Sequence, residues 1–161
     1  MVQAAGVPRT GQHAILPRCV LFVCTMNAVR SVMAAGMLRY LYGARMRVFS
    51  AGVNAGVSDP LVARVMDEIG ISVTQHKPKS LDQMRDEPID LIISLAPEAH
   101  HKALEFAREK NVEVEYWPTM DATVAGEQGG DERLLRAYRQ VRDQLFARIK
   151  ARFRLAGSPN V

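Results

Sequence analysis

The sequence predicts a single α/β domain built on a parallel sheet, and three observations carry that reading. Short apolar runs rich in β-branched residues alternate with segments of helical period along most of the chain. The 161 residues, 48% of them hydrophobic, suffice for one substantial core and fall short of two comfortable domains. Neither an internal repeat nor a linker interrupts the alternation.

Residues 1–17 have no strand or helical period and several turn formers, and 155–161 read the same way. Both ends are expected to be flexible, with the domain spanning 18–154. Cys19 to Val23 is a continuous apolar run, as expected of a first strand buried on both faces, and it leads into Cys24. From about Ser31 to Tyr42, Met33, Met37, Tyr40 and Leu41 fall at helical spacing, and Gly43 stands where a left-handed C-terminal cap is wanted. Arg47 to Ser50 forms a second strand, closed by the turn-rich AGVNAGVS. Asp59 is placed to cap a helix with Pro60 in its first turn, with Leu61, Val62, Val65, Met66 and Ile69 on one face and Gly70 beyond its end.

Ser80 and Gln83 have capping-box spacing for a short helix, and Ile89 to Ile93 reads as a third buried strand. A helix from about Pro97 to Lys110 follows. Val112, Val114 and Tyr116 alternate with acids up to Trp117, which predicts a fourth strand near a sheet edge. After a Gly-rich loop over 118–130, Leu134, Tyr138, Val141, Leu145 and Ile149 mark the apolar stripe of a last helix from Asp131 to Phe153. The expected architecture is a four-stranded parallel sheet with helices on both faces.

Lys and Arg outnumber Asp and Glu by 21 to 17, a net +4 that favours an anionic ligand. The basic residues are scattered, without runs or interleaved aromatics, so no nucleic-acid partner is expected. The two cysteines, Cys19 and Cys24, form no disulfide framework, and no Cys/His cluster has zinc spacing, so no metal or cofactor is implied. Pro8, Gly11, His13 and Pro17 interrupt the apolar run that a signal peptide needs. No segment approaches the ~20 apolar residues of a membrane span. A reducing, cytoplasmic setting is expected.

In an open parallel sheet ligands bind beyond the carboxyl ends of the strands. The first such place holds Cys24-Thr25-Met26-Asn27-Ala28-Val29-Arg30-Ser31, between a buried strand and a helix. A loop whose backbone N–H groups turn inward, closed by a helix N-terminus, is an anion cradle. Arg30 adds a planar fork for two phosphate oxygens. The same positive surroundings favour the thiolate of Cys24, which is the nucleophilic form. Ser31 is placed to donate to that sulfur, and Asn27 to brace the loop, since Asn tolerates left-handed backbone. Asp121, a few residues past the fourth strand at the same sheet edge, is the candidate acid for a leaving oxygen. Asp131 and Glu132 read as N-terminal charge for the last helix. His76, His100 and His101 read as surface or packing residues.

These stretches resemble the low-molecular-weight protein tyrosine phosphatase family, which includes one class of arsenate reductases. The matching segments are VLFVCTMNAVRSVMAAGML, FSAG at 49–52, SDPLVARVMDEIGISVTQHKPKSL, DLIISL and YWPTMDAT. The resemblance implies hydrolysis of a phosphate monoester through a cysteinyl-phosphate. Cys24 would be the nucleophile, Arg30 the phosphate clamp and Asp121 the general acid. Thr25, Met26, Asn27, Ala28, Val29 and Ser31 would form and support the oxyanion loop. It implies a phosphorylated protein or small phosphate ester as substrate, and phosphate, vanadate or arsenate as ligands.

The sequence departs from the family loop, Cys-x-Gly-Asn-x-Cys-Arg-Ser-Pro, at Met26, Val29 and Val32. A side chain at Met26 strains the loop if its backbone needs positive φ. Val29 removes a second cysteine that would protect the nucleophile, and Cys19, an odd number of residues away along a strand, points to the opposite face. Ala122 and Thr123 stand after Asp121 where the family has Pro and aromatic residues that grip a phosphotyrosine ring. Two other readings follow: arsenate reduction with an external thiol, and a non-catalytic oxyanion- or partner-binding module.

Overall fold

In the computed structural model, which describes residues 16–154 apart from the side chains of 127–129, four strands pair in parallel. They are β1 (Cys19–Cys24), β2 (Arg47–Gly52), β3 (Leu91–Ser94) and β4 (Glu113–Tyr116), in the spatial order β2-β1-β3-β4. Val20 pairs with Val48 on one side and Leu91 on the other. With neighbours on both edges and helices on both faces, all six residues of β1 are buried, which is why its sequence is continuously apolar. The expectations for residues 1–15 and 155–161 lie outside the described residues.

Alternation along β1 divides the core. Val20, Phe22 and Cys24 face one side, packed under α1 (Arg30–Tyr42) and α4 (Gly126–Arg152), with α2 (Pro60–Asp67) against α4. Cys19, Leu21 and Val23 face the other, under α3 (Pro97–Lys110) and a short 3-10 helix at Leu81–Met84. Cys19 and Cys24 therefore lie on opposite faces, as expected, and both are free thiols. Because β1 sends its chain to one neighbour and β3 to the other, the crevice opens at the carboxyl end of β1.

The local signals are realised where they rest on backbone chemistry. Asp59 Oδ1 accepts the Leu61 N–H at 2.9 Å with Pro60 at the first helical position, and Gly70 takes φ +75° beyond the end of α2. Ser80 and Gln83 form their capping box. α3 runs over the predicted span and closes on Asn111 at φ 56°.

Several expectations are corrected. Gly43 is right-handed, because its N–H continues the helical turn to Arg39 O at 2.7 Å. Tyr40 is 64% exposed; Val32, Ala34, Ala35 and Leu38 join Met33 and Met37 in the buried face of α1, which is wider than the spacing suggested. β2 runs on through Ala51 and Gly52, and β3 begins at Leu91 rather than Ile89. The stretch 118–130 is not all loop: a 3-10 helix covers Ala122–Ala125, and helical structure starts at Gly126 with a break at Gly130, φ 71°. Of the predicted stripe, Tyr138, Val141, Leu145 and Ile149 are buried and Leu134 is half-buried.

Phe22, fully buried and edge-on to Trp117 at 6.1 Å between centroids, joins the sheet to the start of the acid-bearing loop. Phe22→Ala is expected to cost about 3–5 kcal/mol in urea unfolding, since transfer and cavity terms add.

Candidate active site

The loop after β1 owes its shape to what holds its carbonyls. Val53 N–H donates to Cys24 O (3.0 Å), Asn54 N–H to Thr25 O (3.0 Å) and Gly56 N–H to Met26 O (2.8 Å). The carbonyl of Asn27 can only accept, so His76 Nε2, 2.9 Å away, carries the proton and donates. With these four oxygens drawn outward, the N–H groups of Thr25 to Val29 make no hydrogen bond among the described residues. Four oppositely directed carbonyls followed by a helix N-terminus leave a concave wall of donors, the arrangement that binds an oxyanion.

Asn27 fixes this wall from inside. It is fully buried with φ 52°, its Nδ2 donates to Ser31 Oγ (2.8 Å), and its Oδ1 accepts the Lys79 N–H (3.0 Å). Because Ser31 Oγ receives that proton, its own is free for Cys24 Sγ at 2.9 Å. Met26 does not have positive φ, so the loop accepts its side chain without left-handed strain. Glycines opposite make the room. A Cβ on Gly52 would stand 2.6 Å from Asn27 N and 2.4 Å from Asn54 O, and one on Gly56 3.0 Å from Met26 Cβ.

Cys24, Thr25, Met26, Ala28, Val29 and Arg30 line a cavity of about 370 Å³, whose far wall brings Asp121 and Thr123 from the segment after β4. Asn27 and Ser31 sit behind that wall, fully buried. Arg30 bridges the two sides, its Nη1 donating to Thr119 O (3.0 Å) and its Nη2 reaching Thr25 Oγ1 (3.4 Å). Asp121 is exposed; its Oδ1 accepts both Thr123 N–H (3.0 Å) and Thr123 Oγ–H (2.6 Å), capping the 3-10 helix and leaving Oδ2 without a partner among the described residues. Among the described residues no aromatic side chain lines the cavity; Met26 and Val57, both exposed, occupy its apolar part.

Sequence reasoning missed three contributors. His76, read as a surface or packing residue, holds the loop carbonyl; His100 and His101 do match that reading, stacked on Tyr116 and paired with exposed Glu105. Gly52 is the contact surface for Asn27. Asp59 was seen only as a cap, yet it lines the cavity and its Oδ2 accepts Tyr138 Oη–H at 2.5 Å. Burial, then that bond, raises the Tyr138 phenol above its ordinary range. The FSAG and HKP segments were the available signals for Gly52 and His76, but nothing in their spacing indicates the contact.

A four-stranded parallel sheet flanked by helices, with a cysteine and a loop of N–H groups unpaired among the described residues at the carboxyl end of its first strand, defines an α/β protein with a candidate oxyanion site in its crevice. The pattern for low molecular weight phosphotyrosine protein phosphatases matches residues 19–153, and the chain belongs to that family. An arsenate reductase from Halalkalibacterium halodurans is 32% identical over 133 residues, 83% of this chain and 93% of that protein. A solved arsenate reductase in its phosphate-binding state superposes with a TM-score of 0.68 at 25% identity, covering 83% of this chain and 95% of the other. A low molecular weight protein tyrosine phosphatase from T. tengcongensis, 24% identical over 82% of this chain and 95% of its own, shares the fold with a TM-score of 0.68. Among the described residues no helix is long and apolar enough to cross a membrane.

Gly52→Ala is expected to cost about 1–3 kcal/mol by forcing Asn27 and Asn54 apart, and to abolish protection of Cys24 from alkylation by phosphate. Both are read on the same sample, by thermal melting and mass spectrometry. His76 has a separate signature. Burial first, then the charges of Lys79 and Arg39, hold its imidazole below the ordinary range, against the bond to Asn27 O that raises it. A depressed value means the unfolded chain binds the proton more readily. The stability is therefore complete above the unfolded value of ~6.5 and is lost as pH falls from there through the folded value. Melting temperature should drop on acidification over that range, and His76→Gln should flatten this part of the profile.

Proposed function

We propose that the protein hydrolyses phosphate monoesters through a cysteinyl-phosphate. The observation that carries the proposal is Cys24 Sγ at the floor of a donor loop, 2.9 Å from Ser31 Oγ, in one cavity with Arg30 and Asp121. The N–H groups of Thr25 to Val29 and the Arg30 guanidinium hold the three non-bridging oxygens. For that, Arg30 exchanges its bond to Thr119 O for the substrate. The Cys24 thiolate attacks phosphorus, the P–O bond to the leaving group breaks, and Asp121 gives its proton to the departing oxygen. Asp121 then takes a proton from water, whose oxygen attacks phosphorus as the P–S bond breaks. Ser31 Oγ–H stabilises the sulfur as it leaves. The products are inorganic phosphate and the dephosphorylated alcohol.

The lining argues against a phosphotyrosine ring as the preferred leaving group, because among the described residues no aromatic face stands in the cavity to stack on it. The substrate class is a phosphate ester on a protein or small molecule, with vanadate and arsenate as competing oxyanions. Free thiols at Cys19 and Cys24 suit a reducing, cytoplasmic setting.

A second reading is supported by relatives named arsenate reductase. Here arsenate would take the phosphate position and Cys24 would form a thiol–arsenate adduct. Cys19 faces the other side of the sheet, so an external thiol would have to supply the remaining electrons.

Aryl phosphate hydrolysis should vanish in Cys24→Ser and fall about 10²- to 10⁴-fold in kcat in Asp121→Asn. A wild-type rate in Cys24→Ser overturns the proposal. Arsenite production that requires added glutathione, with no ester hydrolysis, selects the reductase reading instead.

A further inference from the structure

A second cleft lies on the other side of Asn27, between α1, β2 and the segment 72–79. It shares no lining residue with the cavity of Cys24 and has a volume of about 510 Å³. Arg39, Lys77 and Lys79 line it together with His76, Ser72 and Gln75, and among the described residues no carboxylate does. None of the three cations makes an ion pair among the described residues, whereas the more buried Arg142 and Arg152 are matched to Glu68 and Glu115. Among the described residues their side chains bond to backbone only, Arg39 Nη2 to Val48 O (2.7 Å) and Lys79 Nζ to Lys77 O (3.2 Å). Most of their N–H donors are unspent. Burial and the neighbouring Arg39 charge lower the Lys79 ammonium, and burial lowers Arg39 itself. Arg39 and Lys77 are exposed in part and Lys79 is half-buried, so three like charges line one open cleft without a counterion, and a bound anion would relieve their repulsion.

We propose that this cleft binds a free small anion carrying two or more phosphoryl groups, separate from the substrate cavity. Three positive charges around a space larger than one phosphate occupies fit a polyphosphate. The fork of Arg39 takes one phosphoryl group and the two ammonium groups take the next. Ser72 and Gln75 supply neutral donors at the rim. The site communicates with the donor loop through two bonds already described, His76 Nε2–H to Asn27 O and Lys79 N–H to Asn27 Oδ1. Burial and the charges of Lys79 and Arg39 disfavour the protonated ring of His76; an anion in the cleft offsets those charges and so favours a proton at Nδ1, which makes the bond to Asn27 O charge-assisted. Binding in the cleft thus stiffens the loop, and by linkage oxyanion binding in the loop favours the cleft. The inference stands whether or not Cys24 turns over an ester.

The test is titration calorimetry of inorganic pyrophosphate into the full-length chain at constant ionic strength, with sulfate as the second titrant. The Arg30→Ala variant, which disables the substrate cavity, should still bind pyrophosphate. Adding Lys77→Ala or Lys79→Ala to it should weaken that binding about tenfold, roughly 1.4 kcal/mol. Lys77 is exposed, so Lys77→Ala keeps the fold, and a circular dichroism spectrum checks it. Amide shifts should move in 72–79. Pyrophosphate binding that disappears with Arg30→Ala alone, survives both lysine changes, or is matched by sulfate overturns the proposal.

Discussion

The site depends on one buried side chain, Asn27. Its backbone is left-handed, which turns the loop over, and its amide bonds in two directions at once, to Ser31 Oγ and to the Lys79 N–H. A buried amide is tolerated only when its donors and acceptors are satisfied, and here each bond also sets a neighbour. The bond to Ser31 orients the hydroxyl that meets Cys24; the bond to Lys79 and the His76 contact tie the loop to the segment after α2. The carbonyls directed outward by β2 and its extension then leave the N–H groups for an anion. Remove Asn27 and the loop loses its turn, its hydroxyl orientation and its link to the second cleft together.

Charge is distributed unevenly around this hub. The wall formed by Asp59 and Asp121 is acidic, and behind it the Tyr138 hydroxyl donates to Asp59 rather than to a ligand. Behind the loop Arg39, Lys77 and Lys79 make no ion pair among the described residues. Thr119 receives Arg30 across the cavity, so the segment that carries Asp121 is held to the loop before any ligand arrives. The Glu68 bridge to Arg139 and Arg142, which lowers the Glu68 carboxyl to about 2, fastens α2 to α4 and keeps Asp59 and Tyr138 in register.

Much of the fold was legible because local chemistry repeats it. The continuous apolar run of β1, the Asp59-Pro60 start of α2, the Ser80/Gln83 capping box and the stripe of α4 each follow from a period or a cap. The errors fall where neighbours decide. Tyr40 has helical spacing but stands clear of the core, and Gly43 follows the hydrogen bond to Arg39 O rather than its own freedom. The 118–130 segment reads as loop because it is rich in glycine; Asp121 nonetheless caps a helical turn there.

The sequence by itself determined the strand-loop-helix unit with Cys24, Arg30 and Ser31 in it, since residues so near in the chain meet through local backbone geometry. It also determined that Cys19 and Cys24 part to opposite faces, by the two-residue period of a strand. Tertiary structure alone decided that His76 holds the carbonyl of Asn27, 49 residues away, that Tyr138 meets Asp59 across 79, and that Gly52 makes room for the loop. Contacts between residues so far apart leave no spacing or periodicity in the sequence. They exist only once the sheet brings the carboxyl ends of its strands together.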